Sequence, residues 1–152
     1  MSIHFVSTYW IGLVGGAVGF VVGMFILRLL ERKANLAIWD ARIALPLLLA
    51  AAGAHLSLIA VVETQRQVLF GLYGVALIGV ILFALLGFGI WRLGAVVFPL
   101  GSIGAYVYFA LLVHQVDYIG LVVKLVEVAA IVAAVVSVSR GRESSRSLAT
   151  SA

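Results

Sequence analysis

Five apolar runs divide this chain, each about as long as a bilayer is thick: residues 9–30, 41–62, 68–91, 93–113 and 118–138. A lipid-spanning helix needs about 20 mostly apolar residues. In hydrocarbon every backbone polar group must find its partner inside the structure, and a helix satisfies that within one run. The interruptions are short: ERKANLAIWDAR, ETQRQ, Trp91 with Arg92, and HQVD. Read as one helix, residues 68–113 would extend about 69 Å at 1.5 Å per residue. That is more than twice the hydrocarbon thickness, so the chain must reverse near Arg92, where Gly87, Gly89 and Gly94 make a tight turn easy.

The expected fold is all-α: a bundle of five transmembrane helices over residues 1–138, followed by a disordered tail over 139–152. The tail, SRGRESSRSLATSA, is basic, Ser-rich and poor in apolar residues, too little to bury. Composition agrees with the bundle. Of 152 residues, 64% are hydrophobic and 11% charged, against about half and a quarter in soluble domains. Five spans leave no room for a soluble catalytic domain. Cysteine is absent, which excludes disulfides and thiolate chemistry. The N-terminal MSIHFVSTYW lacks the basic region and cleavage site of a signal peptide, so the first run is expected to be retained.

The net charge of +4 is explained by topology and calls for no nucleic acid. With the N-terminus outside, Arg28, Arg32, Lys33, Arg42, Arg92, Arg140, Arg142 and Arg146 fall on the cytoplasmic side, and Arg66 falls outside. That is the asymmetry of the positive-inside rule. Tyr9, Trp10 and Tyr118 then mark the outer interface, Trp39 and Trp91 the inner. The expected location is a bacterial or archaeal cytoplasmic membrane. Asp40 is a candidate N-cap for the second helix, and Pro46 and Pro99 are candidate kinks.

Gly12, Gly15, Gly16, Gly19 and Gly23 line the first run at four-residue spacings. Such glycines open a groove on one helix face where another backbone approaches closely. The groove serves either packing within the bundle or association with a second copy or a larger membrane complex.

The fifth run carries the polar residues that matter most. Lys124 and Glu127 are three apart, and Asp117 and Gly120 share their face. Charges inside a membrane are rare, usually paired, and turned toward protein or water. Counting from the outer ends of the helices, Lys124 lies about 9 Å deep, Glu127 about 14 Å and His55 about 10 Å. Tyr73, Tyr106 and Tyr108 fall in the same outer layer, and Ser102 is the main polar residue left to the inner half. The candidate site is therefore His55, Tyr106, Lys124, Glu127 and Asp117.

Its chemistry admits a structural salt bridge, a proton or ion path with Glu127 as the titrating group, or a ligand. His55 and His114 differ in depth by about 10 Å, which disfavours a haem held by two histidines. A haem or pigment on His55 alone, with Ala51 making room, stays open, as does a quinone or lipid headgroup held by His55, Tyr106 and Lys124. HExxH, GxSxG, P-loop and dinucleotide motifs are missing. The sequence thus favours a non-catalytic membrane subunit that packs in a homo-oligomer or larger complex, with a ligand- or ion-handling protein as the alternative.

Overall fold

The computed structural model describes residues 4–6, 10–33, 42–113 and 115–150. Among these are five helices: α1 (Trp10–Lys33), α2 (Ala44–Leu58), α3 (Thr64–Leu85), α4 (Trp91–Val113) and α5 (Tyr118–Thr150). Four carry segments long and apolar enough to cross a membrane: Trp10–Leu29, Thr64–Leu85, Trp91–Leu112 and Tyr118–Val136. The all-α bundle of an integral membrane protein is what these residues form.

The fifth, α2, differs from expectation. It has 15 residues, not 22, and is about 22 Å long. It starts at Ala44, so its cap position is Ile43. Asp40, expected there, lies outside the described residues, as do Tyr9, Trp39 and His114. Pro46 consequently sits in the first turn, where its missing N–H costs no hydrogen bond and no kink is required. Short as it is, α2 is the centre of the bundle. Ala44, Leu48, Ala51 and Ala52 are essentially inaccessible, and α1, α3 and α5 all pack on it.

Successive helices run antiparallel. Along α1, a side chain on Gly12 would meet Leu58, on Gly16 the Ala50 carbonyl, and on Gly23 the Pro46 backbone. On Gly15 it would strike Gly53 and Ser57, and on Gly19 the Leu49 backbone. The glycine groove is filled by α2 of the same chain. Ser57 Oγ donates to the Ala54 carbonyl at 2.8 Å and reaches the Ile11 carbonyl of α1 at 3.1 Å. Val14, Val18, Val21 and Phe25 point outward, an apolar face turned away from α2.

The reversal between α3 and α4 occupies residues 86–90, ahead of the expected Trp91 and Arg92. Gly87 adopts φ 79°, the left-handed conformation that a side chain disfavours. Gly87 N donates to the Ala84 carbonyl at 3.1 Å and Phe88 N to the Phe83 carbonyl at 2.9 Å. Phe83 and Phe88 stack edge to face, 6.0 Å apart. Those bonds and that contact make a Schellman C-cap, which releases the chain so that Trp91 opens α4 instead of closing α3.

Two features lie at the helix ends. The strands β1 (His4–Val6) and β2 (Gln115–Asp117) pair in parallel, His4 opposite Gln115. Each leads into a helix that starts at the same end of the bundle, so the two segments run side by side. At the other end the helical assignment of α5 reaches Thr150, across the residues expected as a tail.

Candidate functional site

Glu127 is fully buried, with 0% of its surface exposed, and three donors converge on it. Tyr73 of α3 donates to its Oε1 at 2.8 Å, Ser102 of α4 to the same oxygen at 3.0 Å, and Lys124 of α5 to Oε2 at 2.9 Å. Lys124 also donates to Ser102 Oγ. From α2, His55 Nε2 lies 3.7 Å from Glu127 Oε1. One carboxylate thus ties together the four helices α2 to α5. A buried carboxylate is costly unless paired and hydrogen-bonded, and this one is both.

The sequence-derived residues divide here. His55, Lys124 and Glu127 come together; Asp117 and Tyr106 form a second group nearer the helix ends, linked to the first by Lys124 Nζ, which lies 6.0 Å from the Tyr106 ring centre. Asp117 caps α5, accepting from Ile119 N at 3.2 Å and Gly120 N at 2.8 Å. Tyr106 donates to the Asp117 carbonyl at 2.8 Å. A side chain on Gly120 would come within 2.6 Å of the Tyr106 ring, so Gly120 is the space into which that ring packs. Tyr108 is exposed and takes no part. Tyr73 and Ser102 are members that the candidate set lacked. Counted from its own helix end, each lies about 14–16 Å deep, level with Glu127, so equal depth was the available signal.

His55 makes a second contact, Nδ1 to the Ala51 carbonyl at 2.8 Å. Its ring packs edge-on against Tyr73 at 4.5 Å and Phe70 at 5.3 Å. With one nitrogen turned to Ala51 and the other to Glu127, ligation of a haem or pigment metal would require one of these contacts to be given up. A quinone or similar headgroup, needing hydrogen bonds alone, makes no such demand.

Above the cluster lies a cavity of about 560 Å³ bounded by α2, α3, α4 and α5. Its inner end is formed by His55, Tyr73, Ser102 and Lys124, its walls by residues such as Leu69, Phe70, Val97, Phe98 and Phe109. Arg66 and Asp117 stand at the other end, where the Arg66 guanidinium lies 5.9 Å from the Phe109 ring centre. Among the described residues no carboxylate comes within ion-pair distance of Arg66. Gly101 also lines the cavity, and a side chain there would meet nothing within 4 Å. Lys124 donates to Ser102 and Glu127, and its Nζ lies 6.0 Å from the centre of the Tyr106 ring, which also lines the cavity.

The chain matches no protein-family model, no curated protein and no solved structure. The functional reading therefore rests on this geometry.

Proposed function

We propose that this integral membrane protein binds a small amphiphile in the cavity bounded by α2, α3, α4 and α5, its polar head at Lys124 and its apolar body along the aromatic and aliphatic walls. The observation that carries the reading is an apolar cavity of ligand size ending at a buried ammonium. Pockets of about 300–1,000 Å³ with apolar walls and a few convergent polar groups are the usual form of small-molecule sites. The membrane orientation that goes with it has the N-terminus outside and the cavity in the outer half, as the distribution of basic residues favours. The alternative role, a subunit docked on a partner or a second copy through α1, has less support, because the glycine groove that motivated it is filled by α2.

A plug tests the reading. Gly101→Phe puts a ring into the cavity from a position with open space around it. Native mass spectrometry of the wild-type protein released from membranes should detect a bound small molecule that Gly101→Phe, folded to the same thermal stability, lacks. Equal occupancy in both proteins, or none in either across several membrane sources, contradicts it.

A further inference from the structure

The contact between His55 and Glu127 has a property that ligand binding alone does not use. Nδ1 of His55 faces the Ala51 carbonyl, and a carbonyl only accepts, so Nδ1 carries the proton of the neutral ring. Nε2 then presents a lone pair toward Glu127 Oε1, 3.7 Å away. Oε1 already accepts from Tyr73 and Ser102. Two acceptors face each other across the α2–α5 interface at a separation that one proton would bridge after a small approach.

Charge balance decides when that proton is present. Without a ligand, the Lys124 cation and the Glu127 anion cancel. Among the groups facing His55, Tyr73 and Ser102 are neutral, Phe70 is apolar, and Lys124 and Glu127 are the charged pair. An additional proton would leave the buried cluster with one uncompensated positive charge, which a low-dielectric interior disfavours strongly. An anionic headgroup arriving at Lys124 reverses the balance. It takes over the ammonium, leaves Glu127 short of its counter-charge, and makes one proton between Glu127 and His55 restore neutrality. The cavity lining favours an anion too, since it includes Arg66 and Lys124. Its one lining acid, Asp117, has both oxygens occupied by backbone N–H groups.

We propose that the cavity's ligand is a monoanionic amphiphile, and that each anion is bound together with one proton held between His55 and Glu127. The inference rests on the cavity being a binding site. A route to the pair exists in the hydrogen bonds themselves. Ser102 passes its proton to Glu127, Lys124 passes one to Ser102, and Lys124 regains one from the bulk buffer acid through cavity water, for a net transfer of one proton from solvent, leaving the buffer's conjugate base outside.

Decyl sulfonate and decanol are the probes, measured on the full chain in uncharged detergent. The sulfonate stays anionic at all working pH values, so any proton taken up goes to the protein. Calorimetry in two buffers of different ionisation enthalpy counts the protons. The expected result is saturable sulfonate binding with uptake of about one proton, and affinity falling about tenfold per pH unit over the range of uptake. Glu127→Gln, if it folds, should bind sulfonate without that slope; the wild-type proton count decides the matter in any case. Sulfonate binding with no proton uptake overturns the coupling and leaves the cavity reading standing. Decanol binding without sulfonate binding overturns the inference, anion and proton together, and leaves the cavity reading standing. Binding of neither probe overturns the inference and counts against the cavity reading itself.

Discussion

Lys124 Nζ lies 2.9 Å from Glu127 Oε2, one helical turn along α5, with the two residues 8% and 0% exposed. A pair so buried is stable as a pair, and each member alone is a liability. Removing one partner of a buried ion pair costs about 3–5 kcal/mol, because the other is left uncompensated. Lys124→Met and Glu127→Gln should each destabilise the protein by that order. The double substitution should be far milder than the sum, the difference measuring the coupling. Thermal or denaturant unfolding in detergent checks this; additive losses would mean that the two charges do not depend on each other.

The spacing of Lys124 and Glu127 made this pair legible in the sequence, since residues three apart share a helix face. Helix depth brought in His55 by the same reasoning. Ser102 is level with Glu127 when depth is counted from the end of each helix, a match that a division into inner and outer halves hides because both residues lie near the middle of their helices. Asp117 shares the helical face of Lys124 by spacing alone. It is a helix cap, a role fixed by where α5 begins, and that boundary is set by tertiary packing as much as by local sequence. The glycine spacing of α1 announced a close helix contact, but could not say whose helix fills it.

For that groove, Gly15→Leu and Gly19→Leu should lower the stability of the protein itself. A side chain at either position runs into the backbone of α2, and overpacking a well-filled contact costs about 1–3 kcal/mol, more where backbone must move. Gly104→Ala and Gly79→Ala, with nothing within 4 Å of the new methyl, should leave the unfolding temperature unchanged or slightly raised. A shift in oligomeric state with no loss of stability in the Gly15 and Gly19 variants would contradict the assignment of the groove to α2.

At the α3–α4 reversal, Gly87→Ala should cost about 1 kcal/mol, because φ 79° is unfavourable for a side chain. Gly89→Ala should cost little by comparison, as its backbone carries no such requirement. Equal effects in unfolding experiments would remove the left-handed C-cap from the account.

Tyr106 and Gly120 should behave as one unit. Tyr106→Phe removes the hydrogen bond to the Asp117 carbonyl, worth about 1 kcal/mol, and Gly120→Ala displaces the ring. The double variant should therefore be less destabilised than the sum, because a displaced ring has little bond left to lose. Strict additivity would show that the contact is not shared.

Because the chain has no cysteine, single cysteines can report topology directly. Cysteines at Arg66 and at Asp117 should react with an impermeant maleimide from the same side of the membrane, and one at Phe88 from the other, since α3 and α4 run antiparallel between them. Labelling of all three from one side would break the alternating arrangement.

Binding of an amphiphile in the cavity bounded by α2, α3, α4 and α5 can be read by photolabelling. An alkyl probe carrying a diazirine, irradiated with the protein in uncharged detergent, should mark cavity residues such as Leu69, Val97, Phe98 and Phe109 at saturable concentration. Peptide mapping should find that this labelling disappears in Gly101→Phe, while Val18, Val21 and Phe25 on the outer face of α1 label weakly, without saturation, and equally in both proteins. Labelling spread over all outward-facing residues, with no saturable component and no response to the plug, would contradict the claim.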